Sequence, residues 1–242
     1  RAYVIFALKC LLAPDLPMNE GVVRPIHILA PEGTVVNSRF PAAGGARNIV
    51  GMYLPPLVFR ALADVLPAQV VADSAAPPPI LTITGVDRRS GELFAGYLEV
   101  PGGFGGRAAS DGVSVMQFPA NTRLISVEAL EATTPVLFRR RELIPDSGGL
   151  GRFRGGLGQR VAFEPLAWPA DANILAERMH HPPDGLRGGG SGSATRVLLD
   201  GVQLSEVSKP VHLDEGAVLT IESSGGGGYG DPRERSAEQR LR

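Results

Sequence analysis

The spacing of apolar residues predicts helices near the start of the chain. Over residues 2–12, apolar side chains recur at the i, i+4, i+7 spacing that places them on one helix face. A similar spacing predicts a second helix over residues 48–66. Pro55 and Pro56 fall within that stretch, and we expect them in its first turn, where the missing N–H group does no harm.

Two other stretches of the N-terminal half predict strands. Residues 80–87 and 92–100 are rich in β-branched and aromatic side chains and flank a turn-like sequence, which is typical of a β-hairpin. Residues 22–37 have a strand-like composition on both sides of Pro31-Glu32-Gly33. We therefore expect two short strands there, joined by a turn.

The helical signal nearly disappears after residue 135. Strand-like stretches separated by turn residues follow, a spacing typical of a sandwich or a barrel. These stretches are residues 135–144, 159–166, 172–178, 195–205 and 217–223. The sequence therefore predicts an α+β fold that is predominantly antiparallel β. We expect an α+β lobe with a few helices over residues 1–134 and a β-rich lobe over residues 135–242.

Composition changes this picture mainly by excluding partners. The chain has 242 residues, 24 of them basic and 25 acidic, so its net charge is −1. This balance provides no basic surface for a nucleic acid or an acidic membrane, and no apolar run approaches the ~18 residues of a membrane span. The single cysteine, Cys10, permits no intrachain disulfide, which suits a reducing compartment. We expect a cytoplasmic protein with no nucleic-acid and no membrane partner.

Three motifs of known enzyme classes occur in the chain, but none has the neighbours that its chemistry requires. Residues 146–149 resemble the nucleophile loop of chymotrypsin-like proteases, yet none of the four histidines lies in a sequence like that family's histidine motif. Residues 103–108 fit a dinucleotide-binding fingerprint, but no helical pattern follows them. His180 and His181 would point to opposite faces of a strand. No set of three or four zinc ligands is visible, so we expect no metal site in this chain.

Two glycine clusters have no role after these exclusions. Residues 147–158 hold Arg152 and Arg154 at an i, i+2 spacing, which puts both on one face of an extended segment, opposite Phe153. This cluster is either a set of tight backbone turns or a loop that contacts an anion. Residues 225–231 contain one tyrosine between glycines, which favours a docked, ordered segment over a flexible tail.

Taken together, the glycine clusters and several short motifs resemble one family. The motifs are RPIHILAPEGTVVN (24–37), GGFGGRAASDG (102–112), NTR (121–123) with VEALE (127–131), SGGLGRFRGGLG (147–158), ERMHHPPDGLRGG (177–189) and GGGGYGDP (225–232). In this order they are similar to the C-terminal part of the hydantoinase B/5-oxoprolinase family, whose members include a component of acetone carboxylase.

The resemblance implies an ATP-dependent hydrolase that opens a cyclic amide such as hydantoin or 5-oxoproline. An A-type subunit would bind ATP, so we expect a hetero-oligomer. A divalent metal would be held by an N-terminal half that this chain lacks, and the chain would be an incomplete fragment of the enzyme. Two alternatives are a subunit of an acetone-carboxylase-like ligase and an assembly module without chemistry.

Within this family assignment, one group of residues forms the predicted site. Glu99 and Asp111 are the candidate acid/base or water-positioning residues. Backbone N–H groups of glycines approach developing anions closely because no Cβ intervenes, and arginines supply fixed positive charge. The candidate substrate-binding residues are Gly102, Gly103, Gly105, Gly106, Asn121, Thr122, Arg123, Arg152 and Arg154.

Overall fold

Helices lie mostly in the N-terminal half, as predicted. The structure is a computed structural model that describes residues 1–88, 90–120 and 124–240. The helices are α1 (Ala2–Leu12), α2 (Glu20–Val23), α3 (Arg47–Ala61), α4 (Val127–Thr133) and α5 (Ala237–Arg240), with a 3-10 turn at Pro232–Glu234. α1 and α3 confirm the two predicted helices. They pack closely at Gly51, where a Cβ atom would lie 2.2 Å from the ring of Tyr3.

The strands form two antiparallel sheets, which confirms the predicted α+β class. The strands are β1 (Ile80–Val86), β2 (Leu93–Glu99), β3 (Val136–Leu143), β4 (Gln159–Pro165), β5 (Ala170–Leu175), β6 (Arg196–Leu199), β7 (Val202–Gln203), β8 (Val211–Leu213) and β9 (Leu219–Glu222). One sheet has the order β2-β1-β5-β8 and the other has the order β3-β4-β9-β6-β7. The predicted hairpin is present, with Val86 opposite Leu93. β8 was not predicted.

The two sheets share one hydrophobic core that crosses the predicted lobe boundary. β1 pairs with β5, so Ile80 lies opposite Leu175 within one sheet. The core contains Leu81 from the first sheet and Phe163 from the second, each only 1% exposed. Burial of such a side chain contributes about 1.5–3 kcal/mol. The boundary predicted near residue 134 thus runs through a shared sheet and a shared core.

The prediction of two strands over residues 22–37 is wrong. The segment begins with the end of α2 and then contains one isolated bridge, between Thr34 and Asn37, around a turn. Leu29 is 95% exposed and Val35 is 77% exposed. A strand is stabilised by its pairing and packing partners more than by its own composition, and these side chains are largely exposed.

The predicted position of Pro55 and Pro56 is also wrong. Both lie inside α3, well beyond its first residue, Arg47. A proline at such a position removes a backbone hydrogen bond and crowds the preceding turn. Burial on the same helix offsets this cost, because Pro55 is fully buried and Phe59 is only 4% exposed.

A second, smaller core joins the helical part to the glycine-rich segments. Ala7 of α1 and Phe59 of α3 pack against Phe153 and Tyr229. Phe153 and Tyr229 also form a backbone bridge with each other. The segment around Tyr229 is therefore ordered and docked, as predicted. In the described part of the chain, no helix is both long and apolar enough to cross a membrane.

Candidate active site

Extended glycine-rich segments pack side by side to form what we call the glycine bundle, consisting of residues 102–106, 147–158, 185–192 and 224–230. The last of these segments is central. The N–H group of Gly103 donates to the carbonyl of Ser224 (3.0 Å), and the N–H group of Gly149 donates to the carbonyl of Gly226 (2.8 Å). The N–H group of Gly228 in turn donates to the carbonyl of Gly190 (2.9 Å). A strand in a sheet has neighbours on two sides only. Segment 224–230 bonds to three others, so the bundle extends in three dimensions.

The bundle requires glycine because its backbones are too close for side chains. A Cβ atom on Gly103 would lie 1.9 Å from the carbonyl oxygen of Gly156. A Cβ atom on Gly226 would lie 2.2 Å from the carbonyl oxygen of Phe104. Both contacts involve backbone atoms, which have little freedom to move in a closely packed interior.

The predicted substrate-binding glycines lie inside this bundle. The N–H groups of Gly103, Gly105 and Gly106 donate to the carbonyl of Ser224 (3.0 Å), the hydroxyl of Ser74 (3.1 Å) and the carbonyl of Gly227 (2.8 Å). A Cβ atom on Gly102 would lie 2.2 Å from the carbonyl oxygen of Ser224. These contacts give the glycines a packing role. Their contact with a substrate stays a prediction.

Glu99 lies at the end of β2, in a cleft of about 100 Å³ beside the glycine bundle. Its Oε1 atom accepts a hydrogen bond from the hydroxyl of Tyr97 at 2.5 Å, and its Oε2 atom accepts one from the amide of Gln117. Gln117 is only 4% exposed. Both carboxylate oxygens are therefore oriented by donors. Leu98, Leu124 and Ile125 form apolar walls of the cleft.

Arg141 brings a positive charge to the same cleft. Its Nη1 atom donates to the carbonyl of Ile125 at 2.8 Å, and its Nε atom donates to the side chain of Gln159 at 3.3 Å. Gln159 is itself fixed, because its amide donates to the carbonyl of Pro101 at 2.9 Å. Burial lowers the pKa of Arg141 from its usual value. A guanidinium ion nevertheless stays charged, so Arg141 is a held cation.

The cleft combines an acceptor, several donors and a cation within a space of a few water volumes. Burial, followed by the hydrogen bond to Glu99, raises the pKa of Tyr97, so its hydroxyl stays protonated and donates. Such a set can orient a water molecule or a small amide beside a carboxylate.

Asn121, Thr122 and Arg123 lie outside the described residues, and their predicted role is not tested.

Asp111 occupies a different environment from Glu99. Arg235 donates to both of its carboxylate oxygens, at 2.7 and 2.8 Å, and the backbone N–H of Arg154 donates to Oδ1 at 2.8 Å. The hydrogen bonds from Arg235 lead the causes that lower the pKa of Asp111. Asp111 does not line the Glu99 cleft. Its geometry ties the C-terminal segment to the bundle, and its catalytic role stays a prediction.

We expect Asp111→Asn to destabilise the fold by about 1–3 kcal/mol, because it weakens a charge-assisted pair whose Arg235 side chain is only 4% exposed. The pKa of Asp111 is lowered on folding, so its stabilisation is complete above the ordinary aspartate value of 3.8 and is lost as the pH falls below it. Urea unfolding at neutral and at acid pH measures both effects. Asp15→Asn, on the exposed loop after α1, is the control. Equal stability of the Asp111 and Asp15 variants at neutral pH would contradict this assignment.

The two predicted arginines differ in their surroundings. Arg152 is exposed, with its guanidinium 5.5 Å from the ring of Phe153 and 3.8 Å from Glu234. Arg154 is half-buried, and its Nε atom is buried without a hydrogen-bond partner in the part of the chain that the structure describes. Substrate contact by either arginine stays a prediction.

The histidine pair has no partner that would make it a metal site. His180 and His181 are exposed in a bend that follows β5. Among residues 1–88, 90–120 and 124–240, no group of three or more His, Cys, Asp or Glu side chains is arranged to hold a metal ion.

Comparison with known proteins places these features in a family. The sequence model of the hydantoinase B/oxoprolinase family matches residues 1–232. The B-type component of a putative D-/L-hydantoinase of Pseudomonas sp. is 31% identical over 237 residues, which are 94% of this chain and 39% of that protein.

Two solved structures share the fold. The crystal structure of an ATP-dependent caprolactamase from Pseudomonas jessenii is 28% identical, with a TM-score of 0.85 over 99% of this chain and 44% of that one. A nucleotide-free acetone carboxylase structure is 18% identical, with a TM-score of 0.75 over 97% of this chain and 37% of that one. This chain thus spans about two-fifths of the length of these relatives.

Proposed function

Because the chain belongs to the hydantoinase B/oxoprolinase family, we propose that it is part of the B-type subunit of an ATP-dependent hydrolase that opens cyclic amides. One observation carries the proposal: nearly the whole chain, 99%, superposes on a caprolactamase that is ATP-dependent. The glycine bundle and the Glu99 cleft support this proposal. A rigid scaffold beside a small polar cleft can hold a substrate and a catalytic group in a fixed relative geometry.

In this proposal Glu99 accepts a proton from the water that attacks the amide carbonyl. The donors Tyr97 and Gln117 fix the orientation of its carboxylate. Arg141 supplies positive charge on the same cleft, where negative charge develops as the carbonyl is attacked. Arg154 is half-buried in the glycine bundle, and its positive charge is what supports its predicted contact with an anionic group.

We assign ATP binding to an A-type partner subunit, so the active protein is a hetero-oligomer, and we place it in the cytoplasm. We propose that the divalent metal which the family resemblance implies is bound by a part of the enzyme outside this chain; among the described residues, no three His, Cys, Asp or Glu side chains are grouped to hold a metal ion. No step of the proposed reaction is therefore derived through a metal. Fold similarity to acetone carboxylase keeps a ligase as the second candidate function.

The proposal is tested with the protein that contains this chain, co-purified with an A-type subunit. ATP hydrolysis and ring opening are measured with hydantoin, 5-oxoproline and caprolactam, and separately with acetone plus bicarbonate. We expect a cyclic amide to stimulate ATP hydrolysis and to yield an equal amount of ring-opened product. Stimulation only by acetone and bicarbonate would favour the ligase. Activity of the A-type subunit without this protein would favour an assembly role.

A further inference from the structure

A second cleft, of about 190 Å³, lies between α3 and two loops. One face of α3 supplies Tyr53, Leu57 and Arg60 at the i, i+4, i+7 spacing, and residues 71–73 and 184–186 complete the walls. A cavity of about 150 Å³ holds a benzene molecule, so this cleft has room for a small organic ligand. None of the predicted site residues that the structure describes lines it.

A buried ion pair forms the base of this cleft. Arg178, 8% exposed, donates to both carboxylate oxygens of Asp73 at 2.8 and 3.0 Å and to the carbonyl of Ala76 at 2.8 Å. Its guanidinium also lies 4.8 Å from the ring of Tyr53. Arg178 has a φ of 66°, a conformation that non-glycine residues rarely adopt and that is enriched at binding sites. The base is thus rigid and satisfied.

A second ion pair lies at the rim and is far more accessible. Arg60 and Asp184 are 2.6 Å apart, but their side chains are 60% and 53% exposed. Exposed pairs of this kind contribute little to stability, so a ligand can break the pair, and the two flexible side chains can then separate to meet a carboxylate and an amino group at opposite ends of the ligand. Leu57, Val71 and Leu186 provide an apolar wall between rim and base.

We propose that this cleft binds a small zwitterion, with its carboxylate on Arg60 and its amino group on Asp184. The lining has two arginines and two aspartates, so a ligand of a single charge would leave one rim charge unpaired, whereas a zwitterion pairs both. Ring opening of a lactam produces such a molecule, an ω-amino acid. The identification of the ligand as a reaction product therefore rests on the proposed function, while the zwitterion site rests on the cleft itself.

Calorimetric titration of the protein that contains this chain, without ATP or an A-type subunit, tests the site. The probes are 6-aminohexanoate, hexanoate and hexylamine. We expect 6-aminohexanoate to bind at least about tenfold more tightly than either singly charged analogue, because each of its ends pairs with a rim charge. Equal affinity for the three probes would overturn the proposal. So would no binding of 6-aminohexanoate at about 10 mM, a concentration above the dissociation constant of most weakly bound small ligands.

Substitutions at the rim locate the binding. Arg60→Gln and Asp184→Asn should each weaken binding of 6-aminohexanoate by about tenfold, the loss of one charged contact, without altering the melting temperature. Arg139→Gln is the matched control, because Arg139 on β3 is similarly exposed and forms an equally short ion pair, with Glu164 on β4. Unchanged affinity in both rim variants contradicts the site. Binding that depends on the rim in a protein that opens no cyclic amide would support the site and reject the proposed function.

Discussion

Gly103→Ala is expected to destabilise the fold by about 3 kcal/mol or more, at or beyond the upper end of the range for overpacking. The added methyl group would lie 1.9 Å from the carbonyl oxygen of Gly156 and 2.4 Å from the amide nitrogen of Gly226. Both are backbone atoms of neighbouring segments in the glycine bundle, so relief requires two segments to separate. A loss of this size is a large part of the roughly 5–15 kcal/mol that stabilises an ordinary domain.

Urea unfolding of the protein, followed by circular dichroism, measures the effect as a lower midpoint. Gly44→Ala is the matched control, because nothing lies within 4 Å of its added Cβ atom and its backbone conformation accepts alanine. We expect that variant to equal or slightly exceed the stability of the original protein. A Gly103 variant as stable as the Gly44 variant would show that the bundle is loosely packed.

Most of the sheet structure could be predicted because its strands have a strand-like composition and are separated by turn residues. In β5, buried and exposed residues alternate along the whole strand, and the turn residues on both sides limit its length. The segment 22–37 has a similar composition but no pairing partner, and it forms no strand. A pattern in the sequence predicts the capacity to pair, whereas the partner depends on the tertiary structure.

The glycine bundle could not be predicted from side-chain patterns, because many of its residues are glycines, which have no side chain. Its contacts join backbones that are far apart in the chain, as between Gly103 and Ser224. The sequence indicates only that something must require glycine at those positions. The structure identifies the requirement as close backbone packing. The N–H groups of Gly103, Gly105 and Gly106, which we predicted to bind an anion, donate hydrogen bonds to other residues of the chain.

Only part of the Glu99 cleft could be predicted. Glu99 lies at the end of a predicted strand and just before a glycine cluster, which is a detectable signal. Arg141 lies in a run of three arginines, and alternation alone does not show which of them points inward. A register shift between Phe138 and Arg140 places Arg141 opposite Val161, on the core side of the sheet. Bulges of this kind re-aim a side chain, and the sequence carries no clear sign of this one.

Glu99→Gln is expected to lower the rate of ATP-dependent ring opening by about 10²–10⁴-fold, the usual contribution of a positioned acid or base. The substituted amide keeps the shape of the carboxylate but accepts no proton from the attacking water. It also retains one acceptor oxygen for either Tyr97 or Gln117, so the cleft should keep its form. The rate of turnover should therefore fall while the urea midpoint changes little.

The control for this variant is Glu92→Gln, an exposed carboxylate just before β2 of the same hairpin, which should leave turnover unchanged. Turnover is measured in the complete complex as the amount of ring-opened product formed per unit time, with ATP consumption followed in parallel. Glu99→Asp separates chemistry from packing, because the shorter side chain keeps the carboxylate and should recover part of the activity that glutamine loses. If both Glu99 variants turn over as the Glu92 variant does, Glu99 takes no part in proton transfer. The cleft would then be a structural feature beside the glycine bundle, and catalysis would depend on groups outside it.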